Sequence, residues 1–154
     1  MADKLQFELV SPEKLLLSEP VGMVVVPGTE GNFGVLPGHA LFISTVRPGV
    51  IDVYANWQTN QQISERIFVS GGFAEVTPER CTVLADEAVP VSSLDRGAAE
   101  AQARTAEALV ATLKDQVARA NGAERDEAAA KLRAAERQLA VANAKLAALA
   151  QTTH

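Results

Sequence analysis

Few residues in this chain are of types that could perform chemistry. A thiolate beside an imidazole makes a nucleophile–base pair, and Cys81 and His39 are the pair conceivable here. Cys81, however, follows Arg80 inside an alternating run, where a buried structural thiol is the expectation. His39 sits in a Pro37-Gly38-His39-Ala40 turn and reads as a turn or surface residue. His39, His154 and Cys81 cannot supply four metal ligands, and none shows metal-site spacing, so no metal and no cofactor is expected. Gly28, Gly31, Gly34 and Gly38 match neither the dinucleotide fingerprint nor a Walker loop, and no lysine follows them. They read instead as turn glycines between strands. Asp86-Glu87 reads as a solvated linker. Arg125, Lys131, Arg133 and Arg137 bring basic charge to one segment, but Glu124, Asp126, Glu127 and Glu136 interleave with them, as on a solvated helix face. From its residues alone the chain is a non-enzyme.

The elements that carry these residues fall into two halves. The 154 residues are 47% apolar and 21% charged, with a formal net charge of -5. That composition is globular, and the acidic balance argues against a nucleic-acid partner. One cysteine excludes an internal disulfide and fits a reducing compartment. The longest uncharged stretch, 31–46, is too short to cross a membrane and is interrupted by Pro37, Gly38 and His39. The opening Met1-Ala2-Asp3-Lys4-Leu5 lacks the parts of a signal peptide, so a cytoplasmic location is expected.

All seven aromatic residues precede residue 74, and all seven prolines lie at or before Pro90. Through residue 87 five basic residues face eleven carboxylates; the remainder holds nine basic and eight acidic residues. A boundary is therefore expected at about 87–92, giving domains 1–87 and 88–154. The first half carries apolar runs at 5–10, 21–26, 35–36, 41–46, 50–54, 63–69, 73–76 and 81–84, separated by Pro-Gly and Gly-Gly turns. Many short strands so spaced predict a β-sandwich or flattened barrel. In the second half Ser92 begins a capping-box spacing. Ala99, Ala103, Ala106, Val110, Leu113 and Val117 recur at steps of three and four, and Asn121-Gly122 supplies a turn. Leu132, Leu139 and Leu146 repeat every seven residues as a heptad seam. The fold class expected is α+β, a sandwich followed by an antiparallel two-helix hairpin. Its alanine-rich seam buries little apolar area and holds the hairpin weakly.

Glu30-Gly-Asn-Phe-Gly-Val-Leu-Pro-Gly-His-Ala40, then Arg47-Pro-Gly-Val-Ile51, Phe68-Val-Ser-Gly-Gly-Phe-Ala-Glu-Val76 and Thr82-Val-Leu-Ala-Asp86 resemble, in order and spacing, the epsilon subunit of bacterial F-type ATP synthases. The resemblance covers nearly the whole chain, the helical half in layout more than in detail. It implies a central-stalk rotor subunit without catalytic residues, peripheral at the cytoplasmic face of the cell inner membrane, coupling c-ring rotation to ATP synthesis. It implies that the sandwich binds the gamma subunit and rests on the c-ring of a proton-translocating complex. Glu30, Gly31 and Asn32 match the family's c-ring-facing loop, and Pro37, Gly38 and His39 join them as interface candidates. In many bacteria the C-terminal helices inhibit hydrolysis by extending along gamma toward the alpha and beta subunits; Arg119, Arg125, Arg133 and Arg137 are the candidates for such contacts. Some family members bind ATP through an Ile/Leu-Asp-x-x-Arg-Ala pattern; here Leu94-Asp95-Arg96-Gly97-Ala98-Ala99 has alanine at the arginine position. No physiological ATP site is expected. Two other readings compete: a nucleotide-sensing β-domain with a helical switch, and an enzyme using His39 or Cys81.

Overall fold

The computed structural model describes residues 4–151. Met1–Asp3, read above for a signal sequence, and His154, weighed as a metal ligand, lie outside the described residues. The chain divides into two compact units, Met1–Ser93 and Leu94–His154.

In the first unit alternation of apolar and polar residues becomes alternation of faces. Strand β1 (Leu5–Val10) buries Leu5, Phe7 and Leu9 and turns Gln6, Glu8 and Val10 outward. It pairs antiparallel with β2 (Leu15–Val21) and parallel with β9 (Arg80–Ala85), so that Phe7 lies opposite Cys81 and Leu9 opposite Val83. The remaining strands are β3 (Met23–Gly28), β4 (Gly31–Val35), β5 (Phe42–Val46), β6 (Gly49–Tyr54), β7 (Glu65–Val69), β8 (Gly72–Val76) and β10 (Ala88–Pro90). They form one sheet in the order β10-β7-β6-β3-β5-β8-β9-β1-β2, with β4 on β3. Strand β3 is the fold line: Met23–Val25 pair with β6, whereas Gly28 pairs with Val46 of β5. The two wings close over one core that includes Phe7, Val24, Ile51, Val69, Val76 and Val83. The resulting curled β-sandwich agrees with the sequence expectation.

At the β7–β8 corner, Gly71 and Gly72 have φ of +125° and +146°, and a Cβ on Gly72 would stand 1.8 Å from the Leu84 carbonyl oxygen. Only glycine fits there. Two strands have no counterpart in the sequence reading. The apolar start of β2, Leu15-Leu16-Leu17, does not alternate, and β10 has three residues. The run 21–26 is also not one strand, because the chain bends at Gly22, where a Cβ would lie 2.6 Å from the Trp57 backbone nitrogen. Asp86 and Glu87 are not a linker: they turn the chain from β9 into β10, with Asp86 N–H donating to Gly71 O and Ser70 N–H donating to Glu87 O. β10 then pairs with β7, and a 3-10 turn follows at Val91–Ser93, so residues 88–93 travel with the sheet.

The second unit is an antiparallel pair of helices, α1 (Arg96–Arg119) and α2 (Gly122–Gln151). Its N-cap is Asp95 and not Ser92: the carboxylate accepts from the amides of Gly97 and Ala98 at 3.0 and 3.4 Å, while Ser92 is used up in the 3-10 turn. A capping carboxylate also suits the positive end of the macrodipole. Helix α1 buries Ala99, Ala103, Ala106, Val110 and Leu113, as its spacing predicts. On α2 the buried positions are Ala128, Ala135, Ala142 and Ala148, and Leu132 and Leu139 flank the Val110–Leu113–Ala135 cluster. Leu132 and Leu139 thus pack beside the seam while alanines take its buried positions, since the small side chain leaves room for the longer ones. Gly122, at φ +61°, permits the reversal.

Candidate interaction surface

The β3–β4 hairpin carries the first candidate group. Its strands close at Gly28 and Gly31, which leaves Thr29 and Glu30 as a two-residue tip. Gly31 has φ +134°, a conformation that an L side chain would strain. The tip is tied to the neighbouring β5–β6 corner. Thr29 N–H donates to Thr45 O at 3.1 Å, and the two threonine hydroxyls lie 2.6 Å apart. Arg47 N–H donates to Pro27 O at 2.9 Å, and its guanidinium donates to Gly28 O and to Asn32 Oδ1, both at 2.7 Å. Asn32 is therefore engaged within the hairpin, whereas Glu30 stands exposed at the apex. The sequence reading quoted Arg47 within the Arg47-Pro-Gly-Val-Ile51 motif but gave it no role. The usable signal was an arginine at a Pro-Gly corner, able to reach across a turn.

Pro37, Gly38 and His39 form a second group elsewhere. They follow the opposite end of β4, and Gly31 and Val35 are about 13 Å apart at some 3.3 Å per strand residue. Gly38, at φ +85°, donates its N–H to Pro78 O at 2.7 Å. His39 donates its Nδ1–H to Ala40 O at 2.7 Å, and its ring centroid is 6.3 Å from that of Phe42, which in turn meets Phe33 edge-on. The six residues expected as one interface are thus brought together in two threes, one at each end of β4.

A third feature was not anticipated. The register across β5, β8, β9, β1 and β2 aligns Thr45, Phe73, Leu84, Val10 and Leu15 in a row. These residues sit at outward positions, and Phe73, Leu84 and Leu15 are each about half exposed. Ile43, on the same outer face, is 74% exposed. Outward apolar positions in otherwise alternating strands were the available sequence signal. An exposed apolar row of this kind is a candidate interaction face.

The thiol of Cys81 points into the core, and burial pushes its pKa up to about 12, so it is not a thiolate near neutral pH. Glu19, inward on β2, has its pKa raised first by desolvation and then by the charge and hydrogen bond of Glu65. Among the described residues no group of His, Cys, Asp and Glu is placed to hold a metal, and no helix is long and apolar enough to cross a membrane.

On the hairpin, Arg119, Arg125, Arg133 and Arg137 are all exposed. Arg119 pairs with Asp115 at 3.2 Å, and Arg133 and Arg137 stand one turn apart on α2. Arg119, Arg125 and Arg133 occupy the half of the hairpin nearer its turn, and Arg137 stands at the middle of α2. In the stretch compared above with an ATP motif, Asp95 is committed to capping and Ala98 is exposed.

Residues 4–91 match the family model described as the beta-sandwich domain of the ATP synthase Delta/Epsilon chain. The chain is similar to the ATP synthase epsilon chain of Rhodospirillum centenum, 70% identical over 94 residues, which are 61% of this chain and 63% of that relative. The match thus spans less than two thirds of that relative's length. To the epsilon chain of Rhodospirillum rubrum it is 58% identical over 107 residues, 70% of this chain and 77% of the relative. To that of Maricaulis maris it is 45% identical over 142 residues, 92% and 98%. A chain in the cryo-EM structure of the Euglena gracilis mitochondrial ATP synthase shares the fold, with a TM-score of 0.70 at 23% identity, covering 97% of this chain and 83% of that one.

Proposed function

The chain belongs to the ATP synthase epsilon-chain family, and on that premise we propose that it is a non-catalytic rotor subunit of the central stalk of a proton-translocating F-type ATP synthase. It is peripheral, at the cytoplasmic face of the bacterial inner membrane. Its sandwich unit binds the gamma subunit and rests on the c-ring, and its helical unit restrains ATP hydrolysis by reaching the alpha and beta subunits. The observation that carries this reading is the outward apolar row Phe73–Leu84–Val10–Leu15, a face suited to burial against another protein. Pro37, Gly38 and His39 extend the gamma contact, and Glu30, with Gly31 shaping its turn, makes the polar contact to the c-ring. The basic residues Arg119, Arg125, Arg133 and Arg137 face acidic surfaces of the catalytic head. No cofactor takes part.

The test is ATP hydrolysis by a complex depleted of its epsilon subunit, titrated with the full chain and with a version ending at Ser93. Both should bind, and only the full chain should suppress hydrolysis. Binding of neither would overturn the reading. Binding of both without suppression would leave the rotor assignment standing and remove the regulatory one.

A further inference from the structure

We propose that Arg47 is the positioning residue for Glu30, a clamp across the neck of the β3–β4 hairpin that fixes the direction in which the tip presents its carboxylate. The inference rests on the reading of Glu30 as the c-ring contact and adds to it the residue that sets its geometry. Gly28 and Asn32 lie two residues before and two after Glu30, on opposite strands of the hairpin. The Arg47 guanidinium donates to both, from two different nitrogens and at the same 2.7 Å. One rigid, planar group therefore spans the two strands beneath the turn, a geometry that a single ammonium cannot reproduce. Arg47 is itself held, because its backbone N–H donates to Pro27 O and the following Pro48 has a fixed φ. The Thr29–Thr45 hydroxyl contact ties the same tip to the strand that leads into Arg47. A tip so held loses little further freedom when it docks, whereas an unclamped one must be ordered at that moment.

The experiment is a double-mutant cycle between Arg47→Met and Glu30→Gln in the full chain. Affinity is measured for the isolated gamma subunit and for a detergent-solubilised gamma–c-ring subcomplex. Arg47→Met should weaken binding to the subcomplex by about tenfold, the scale of one lost charge-assisted contact, and leave binding to gamma alone unchanged. In the Glu30→Gln background the same substitution should cost nothing further. Arg47→Lys keeps the charge but not the fork and should remain impaired. Asn32→Ala, which removes one exposed acceptor, should show part of the loss even if Arg47→Met does not fold. Equal weakening toward gamma alone, or full additivity of the two substitutions, would overturn the positioning role while leaving the Glu30 contact intact. If Glu30→Gln alone has no effect on either partner, the c-ring contact at Glu30 fails, and the positioning role fails with it.

Discussion

Glu19 lies on the inward side of β2 and has the Glu65 carboxylate, from the first position of β7, as its charged neighbour. Desolvation and the neighbouring charge both favour the protonated form of Glu19. Folding thus raises its affinity for a proton. The stabilisation is complete below the ordinary value of 4.5 and is lost as pH rises through the higher folded-state value. Glu19→Gln should accordingly raise the melting temperature at neutral pH. The gain should vanish near pH 4, and a pH series of thermal melts checks both. A second residue-scale expectation concerns nucleotide. Position 98 offers no guanidinium, Arg96 stands about 200° away around the helix, and the Asp95 carboxylate is already taken by two amides. Millimolar ATP should therefore give the isolated chain no saturable protection in amide exchange, the measurement that would otherwise favour a nucleotide sensor.

At the scale of elements, the cap of α1 shows where sequence reading succeeds and fails. Ser92 and Asp95 are both capping residues by type, and spacing alone favoured the serine. The choice was made by the 3-10 turn at Val91–Ser93, which follows directly on β10 at Pro90 and takes up Ser92 before the α-helix begins. Asp95→Ala should therefore cost the helical unit about 1 kcal/mol, and Ser92→Ala less than about 0.5 kcal/mol, read as loss of helical circular dichroism on heating. The same division runs through the fold. Strands with clean alternation, such as β1, β8 and β9, were legible, because a half-buried strand writes its faces into its sequence. Strands β2 and β10 were not, the first because its leucines are consecutive and the second because it is too short to show a period. Of the candidate site, Gly31 and Gly38 were legible from type as turn glycines, whereas Glu30 was singled out only by the family resemblance. Arg47 and the apolar row were not legible, because each depends on which strands become neighbours, and that is a property of the register and not of any local segment.

For the whole molecule, chemistry is divided between the two units. The sandwich carries all seven aromatic residues and a net charge of -6, while the hairpin stands at +1 and is rich in alanine. A seam whose buried α2 positions are all alanine gains about 0.8 kcal/mol for each buried methyl or methylene, against roughly 2 kcal/mol for a leucine. The hairpin is consequently stable as helix, from its composition, and inexpensive to rearrange, from its packing. Its exposed arginines contribute little to that fold, since surface substitutions away from structural partners change stability by less than about 0.5 kcal/mol. Contact with an acidic partner would use them differently, through attraction that weakens with ionic strength over a Debye length of about 8 Å at physiological salt. Replacing Arg125, Arg133 and Arg137 together by alanine should leave the helical signal of the full chain intact. Suppression of ATP hydrolysis should then weaken several-fold at low salt, with a smaller difference from the unsubstituted chain at high salt. The check is a titration of epsilon-depleted enzyme at two ionic strengths. Unchanged suppression at both would show that the arginines serve only to solvate the helix, and would leave inhibition, if present, to the apolar surface of the opened hairpin.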